Sequence, residues 1–307
     1  DNKVITSIEE NGYGINAQWT DDFHHAIHAL LTKEKHGYYQ DFGTLYHVVK
    51  ALREGYVYTW DYSEYRKRFH GSSSDIFPAE KFVVCIQNHD QIGNRLMGER
   101  LSGLVDFEAL KLAAGTMLTA PYIPMLFMGE EFGAKTPFMY FISHSDPDLV
   151  NAVREGRARE FREIYTGKDM PDPQNPETFY ACKLCWECLD KPDHAQLLSF
   201  YKELISLRKS NSVLSKMDKK NCSFETLSED RVLIINRWDE EQTLILIMNF
   251  SGDSVPFFSL KDTFRGRKIL DSSDSVWGGT GSEMPNGIIP DVEYVMQPYQ
   301  FIIYTMH

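Results

Sequence analysis

Apolar positions follow two rhythms along the chain. Up to about residue 210, short apolar runs alternate with segments of helical spacing; beyond about 212 only short runs remain, separated by turn residues. Tyr13–Trp19 predicts a short strand. Thr20-Asp21-Asp22 reads as a helix N-cap with an acidic first turn. The helix it opens, Phe23–Thr32, places Phe23, Ile27, Leu30 and Leu31 on one face. Thr44–Glu54 predicts a second helix. Tyr58–Ala79 is polar, carries Arg66, Lys67, Arg68 and Ser72–Ser74, and is long for a connection, which marks it as a functional loop. Lys81–Gln87 holds the contiguous run Phe82–Ile86 and predicts a buried strand. Phe107–Ala120 predicts a helix stopped by Pro121. Tyr122–Met128 predicts a further buried strand, and Leu149–Tyr165 a charged helix. Residues 171–192 are Pro-rich and irregular, and Asp193–Lys209 is an amphipathic helix.

The last part predicts strands at Arg231–Arg237, Gln242–Phe250, Val255–Leu260, Lys268–Leu270 and Phe301–Tyr304. The expected organisation is an α/β unit over 1–212 and an all-β sandwich over 213–307. Composition changes little in this picture: 42% hydrophobic and 25% charged residues describe an ordinary globular chain. The net charge of −12 argues against a phosphate-binding surface, which needs a basic stripe, so no nucleic acid partner is expected. No apolar run reaches the roughly 18 residues of a membrane helix, so no membrane is expected either. The odd count of five Cys, crowded at Cys182, Cys185 and Cys188, is no disulfide framework and points to a reducing, cytoplasmic setting.

The candidate chemistry sits where two buried strands end: Asn88-His89-Asp90-Gln91 after one, Gly129-Glu130-Glu131 after the other. Carboxylates and His at the C-terminal ends of parallel strands are the layout of a (β/α)8 barrel mouth. Such carboxylates hydrogen-bond sugar hydroxyls or stabilise oxocarbenium-like charge. The same residues are also ordinary turn chemistry. On spacing alone the two readings stand level.

Residues 82–95, with Asn88-His89-Asp90, resemble the fourth conserved region of the α-amylase family, glycoside hydrolase family 13, which follows the seventh barrel strand. Residues 13–28, 128–141 and 153–161 narrow the resemblance to the trehalose-releasing hydrolases of that family; Gln91 and the block Asp21-Asp22-Phe23-His24-His25 discriminate. The resemblance covers most of 4–210, and the final β unit matches in type only. It implies the C-terminal part of a (β/α)8 TIM barrel, strands six to eight, followed by a β-sandwich. It implies a retaining glycosidase acting on the α-1,4 bond next to the terminal trehalose of a maltooligosyl trehalose, an α-glucan substrate, without a cofactor. Asp90 matches the carboxylate that stabilises the transition state, and His89 a sugar contact. Asn88, Gln91, Asn94, Trp19, Asp21, Asp22, His25, Glu130 and Glu131 are the further candidate substrate contacts.

The nucleophilic Asp and the acid/base Glu of that family have no counterpart; Glu9 and Glu10 precede the sixth strand. A complete barrel takes about 250 residues. The expectation is therefore that an upstream part of the same polypeptide supplies both groups, and that the chain alone is inactive. A glycogen branching enzyme, sharing the barrel and the Gly-Glu-Glu-Phe stretch, is the nearest alternative; a non-catalytic α-glucan-binding module is another. Two metal-like spacings remain. Cys182-x-x-Cys185-x-x-Cys188 lacks a clear fourth ligand, and His24 with His28 lacks the Glu of a zinc-protease motif, so no metal is expected. Arg66–Arg68 reads as a solvated face or loop anchor.

Overall fold

The computed structural model describes residues 2–161, 170–258, 266–288 and 292–306. The first half runs α1 (Asn2–Thr6), β1 (Gln18–Trp19), α2 (Asp21–Thr32), α3 (Leu45–Glu54), β2 (Thr59–Ser63), β3 (Arg68–Gly71), β4 (Phe82–Val84), α4 (His89–Gly93), α5 (Phe107–Thr119) and β5 (Ile123–Pro124). Helices α6 (Pro147–Phe161), α7 (Pro176–Ala181), α8 (Pro192–Ser210) and α9 (Ser212–Ser215) follow. The chain then forms β6 (Cys222–Leu227), β7 (Val232–Trp238), β8 (Thr243–Asn249), β9 (Val255–Phe258), β10 (Arg267–Asp271), β11 (Glu293–Met296) and β12 (Phe301–Met306). Residues 162–165 of the expected charged helix and 259–260 of an expected strand lie outside the described residues.

Strands β1, β4 and β5 form a parallel sheet in the order β1-β4-β5, with Gln18 opposite Phe82 and Val83 opposite Ile123. The pairing is shorter than the apolar runs predict. Upstream of β1, Tyr13 is 77% exposed and Gly14 sits at φ +68°, so that segment bends away from the sheet. In β5, Pro124 has no N–H to give, and the ladder ends when Met125 N donates to Val84 O at 2.8 Å. The segment read as one long polar loop contains the antiparallel hairpin β2–β3. Its strands close on Gly71, φ +79°, where a Cβ would stand 1.8 Å from Tyr58 O. Asp41 anchors the tip, accepting from Ser63 Oγ and Tyr58 Oη, both at 2.6 Å. The irregular segment after 170 likewise contains α7, whose Asn175 N-cap accepts from Glu177 N.

The C-terminal sheet is antiparallel, in the order β10-β12-β8-β7-β6, with a two-stranded β11-β9 ribbon beside it. Strands alternate faces with period two. Leu233, Ile235, Leu244, Leu246 and Met248 therefore join the core shared with the helices. Val232, Ile234, Ile245 and Ile247 face a second core with Val255, Phe257 and Met296. Burial on both faces is why β7 and β8 read as continuous apolar runs. Strands β6 and β11 escape a pattern search because their residues are half-exposed.

Helix α5 lies between the two sheets. Gly115 permits the contact, since a Cβ there would meet the Phe301 ring at 2.6 Å. The last carbonyls of α5 have no intrahelical partner, and two arginines supply donors. Arg208 donates to Leu118 O, Ala120 O and Tyr122 O at 2.6–2.8 Å. Arg237, on β7, donates to Thr119 O at 2.5 Å, Lys216 O at 2.9 Å and Val213 O at 3.1 Å. Burial pushes Arg237 down to about 10, so it stays charged at neutral pH.

The inward face of α2 carries histidines. His24 Nδ1 contacts Ile86 O, and Nε2 lies 2.8 Å from Tyr39 Oη. A carbonyl only accepts, so Nδ1 bears the proton and Nε2 accepts from Tyr39. His28 Nε2 meets Glu34 Oε2 at 2.9 Å, and Arg95 clamps Glu34 at 2.8 and 3.0 Å. The helical spacing of His24 and His28 thus serves protein hydrogen bonds. Burial holds His24 well below the ordinary imidazole range and takes His25 down to about 3.

Two stability outcomes follow from these contacts. Arg237→Met should leave three carbonyls, two of them buried, without their donor and cost about 3 kcal/mol in denaturant unfolding; a loss below about 1 kcal/mol would contradict the capping role. The unfolded chain protonates its histidines near pH 6.5, while the folded chain keeps His24 and His25 neutral. The contribution of these two histidines to stability should therefore be intact above about pH 6.5 and fall on acidification, by about 1.4 kcal/mol per pH unit for each group. His25→Phe should reduce the loss of stability on acidification by up to about 1.4 kcal/mol per pH unit, and an unchanged pH dependence would remove His25 from the account.

Candidate functional site

The parallel sheet sends three strand ends to one rim. After β1 the chain enters α2 with Asp21; after β4 it enters α4 with His89 and Asp90; after β5 it turns through Glu130 and Glu131. The entry to α4 is a capping box. Asn88 Oδ1 accepts from Asp90 N at 2.7 Å, and Gln91 Oε1 accepts from Asn88 N at 3.0 Å. Asn88 and Gln91 are buried by this arrangement, whereas His89 and Asp90 are left exposed. Gln91 also reaches sideways, its Nε2 donating to Asp21 Oδ1 at 3.1 Å.

The structure brings together Trp19, Asp21, His89, Asp90, Gln91 and Asn94. The Trp19 and His89 rings meet edge to face at 6.0 Å. Asn94 Nδ2 donates to Asp90 Oδ1 at 3.2 Å. Burial raises Asp21, the charge of Asp90 raises it further, and the Gln91 amide opposes both. Two carboxylates sharing one rim favour a ligand rich in hydroxyl donors over an anion.

Other candidates do structural work. Asp22 is buried and accepts from Val57 N and Tyr58 N, both at 2.9 Å; burial pushes it up to about 6 against those two bonds. Thr20 holds the N-cap position, but its hydroxyl donates to Val83 O at 3.0 Å instead of capping α2. Glu130 is buried, accepts from Tyr201 Oη at 3.1 Å, and is pushed up to about 8 by burial, so it is protonated at neutral pH. Among the described residues its other oxygen has no hydrogen-bond partner. Glu131, half-buried, shares that turn.

Beside the rim lies a pocket of about 420 Å³, between Trp19, Asp21 and His25 on one side and the β2–β3 hairpin on the other. The hairpin contributes Trp60, Phe69, Arg66 and Arg68. The Trp60 and Phe69 rings stack at 5.9 Å and 19°. Trp60 is 69% exposed and stands at φ +87°, where the β2–β3 register shifts. A bulky residue held in that region stores strain, and such outliers cluster at ligand sites. Arg66 and Arg68, which the sequence marks as a solvated face or loop anchor, line this pocket, and the alternation Trp60, Tyr62 is the one sequence signal for the hairpin's aromatic face. His25 faces this pocket, its Nδ1 without a hydrogen-bond partner among the described residues and its ring 4.5 Å from Tyr38.

Among the described residues no group of three or more His, Cys, Asp or Glu could hold a metal ion. Cys185 and Cys188 form a disulfide, contrary to the expectation of thiols alone, and Cys182 is buried, accepting from Met139 N at 3.1 Å. No helix among the described residues is long and apolar enough to cross a membrane.

No protein-family model matches the chain. The chain is 50% identical over 209 residues to a malto-oligosyltrehalose trehalohydrolase of Saccharolobus solfataricus, covering 68% of this chain and 35% of the relative. It is 49% identical over 219 residues to the enzyme of that name from a Rhizobium species, covering 70% and 37%. The chain thus spans little more than a third of the length of these curated relatives. Among solved structures, a candidate α-amylase from Salmonella typhimurium superposes with a TM-score of 0.79 at 32% identity, over 95% of this chain and 47% of that one. An α-amylase from H. orenii shares the fold, with a TM-score of 0.53 at 16% identity, over 96% and 50% of the two chains. Seven curated proteins named malto-oligosyltrehalose trehalohydrolase match at 40–50% identity over about 70% of this chain, and with them the chain belongs to the α-amylase family.

Proposed function

We propose that this chain forms the strand-six-to-eight side of a retaining glycosidase that cleaves the α-1,4 bond next to the terminal trehalose of a maltooligosyl trehalose. The observation that carries the reading is the exposure of His89 and Asp90 on the rim of a buried parallel sheet, with Asp21 and Trp19 beside them. Asp90 accepts sugar hydroxyls and stabilises positive charge that grows at the anomeric carbon. His89 donates to the same ring. The aromatic hairpin holds neighbouring glucose units, since a sugar's C–H face packs on an indole while its hydroxyls reach Asp21, Arg66 and Arg68. The nucleophile and the acid/base come from an upstream part of the same polypeptide.

The test uses the full-length natural polypeptide, assayed for free trehalose. Asp90→Asn keeps shape and removes charge, so turnover should fall by about 10²- to 10³-fold with thermal stability retained. Wild-type turnover in this variant overturns the assignment. New α-1,6 branches in place of trehalose would indicate a glucanotransferase, and binding of maltodextrin without turnover a glucan-binding module. Trp60→Ala should raise KM by about tenfold, the worth of one lost aromatic stack, and leave kcat in place; an unchanged KM excludes the hairpin from the substrate path.

A further inference from the structure

The Asp90 side chain does not hold its place by the capping box alone. That box fixes the backbone of α4 at its start; Asp90 Oδ1 is held from the other end of the helix by Asn94 Nδ2 at 3.2 Å. Asn94 is exposed, and an exposed primary amide can flip, presenting its oxygen to the carboxylate and repelling it. Something must set its orientation. Arg157, on α6, does so: Nη1 lies 3.3 Å from Asn94 Oδ1, and Nη2 donates to Gly93 O at 3.0 Å. A guanidinium has only donors, so it donates to the amide oxygen and leaves the NH2 turned to Asp90.

Arg157 is itself immobilised. Its guanidinium carbon lies 4.7 Å from the centroids of both Tyr140 and Phe161, so the planar group is held against two rings. Glu160 Oε2 takes the remaining charge at 3.1 Å. The side chain is 12% exposed although it stands on a helix whose neighbours Ala158 and Arg159 are open to solvent. A surface arginine serving solubility would not be stacked, forked and paired in this way.

We propose that Arg157 is a positioning residue for Asp90, acting through the Asn94 amide. The proposal rests on the reading of Asp90 given above. It assigns a purpose to the Arg-rich 153–161 stretch that the rim residues do not explain. Lys cannot replace it, because an ammonium is a point donor and cannot fork between Gly93 O and Asn94 Oδ1.

The experiment measures trehalose release by the full-length polypeptide for Arg157→Ala, Arg157→Lys, Asn94→Ala, the double variant Arg157→Ala/Asn94→Ala, and Asp90→Asn as reference. Misplacement of a reacting partner by about 1 Å costs up to about 10²-fold. Arg157→Ala should therefore lower kcat by about 10- to 100-fold with KM within about twofold, the range expected where ground-state binding is kept. Arg157→Lys, which retains charge and stacking and guards against misfolding of the Ala variant, should lose nearly as much. The double variant should lose no more than the worse single one, because both break one chain. A merely structural arginine would lower the melting temperature and give additive losses. Wild-type kcat in Arg157→Ala, full rescue by Lys, or additivity with Asn94→Ala overturns the positioning role. If Asp90→Asn retains turnover, the reading of Asp90 fails and this proposal with it; if Asp90→Asn is crippled and Arg157→Ala is not, the positioning role fails alone.

Discussion

The interior of a parallel sheet offers a strand no polar side chains, so the moment the chain leaves it, every exposed N–H must find a partner at once. At the end of β4 the solution is local: Asn88 and Gln91 satisfy each other's backbone. That exchange determines much else. It opens α4 after the four residues 85–88 that follow β4, throws His89 and Asp90 outward, and frees the Gln91 amide nitrogen to bridge to Asp21 at the end of the neighbouring strand. The spacing between two strand ends is thus set by a side chain that is itself a cap. Asn88 and Gln91 are part of the recognition motif for the sake of the fold beneath the site, and the two residues between them face the ligand.

The alternation of strand and helix, the change to β structure after 212 and the rim position of Asp90 are legible because each depends on neighbours within a few residues. Strand length is not legible. Apolar character says that Tyr122–Met128 is buried, but only pairing says that Ile123–Pro124 is strand, and pairing depends on partners tens of residues away. The same limit governs the site. Glu130 reads as a candidate substrate contact beside a strand end, but it is buried and bonded to Tyr201, 71 residues on. Asp22 reads as a helix-start charge, and only the return of the chain at Val57 and Tyr58 gives it a fixed task. The hairpin hides because its exposed aromatic face looks like a defect in a polar loop until the pocket is closed by Trp19 and His25.

Electrostatics sorts the carboxylates into two populations. Glu130 sits inside the protein and stays neutral at physiological pH. Asp90 stays at the surface with one amide for company. Keeping Glu130 protonated leaves the negative field of the strand ends where water and ligand can reach it. The large acidic excess of the chain is then compatible with a site whose working charges are few.

The buried cations along α5 carry a mechanical consequence. Lys111, fully enclosed, donates from the middle of that helix to Ser272 O and Trp277 O, while Arg237 grips its end from within the C-terminal sheet. The contacts run to main-chain oxygens, which cannot swing away as a side chain can. The C-terminal sheet is therefore a splint for the helical layer. A proteolytic nick in the connecting stretch near 216–221 would leave the two pieces clamped together, and bending about that stretch would require extracting charged groups from a dry seam.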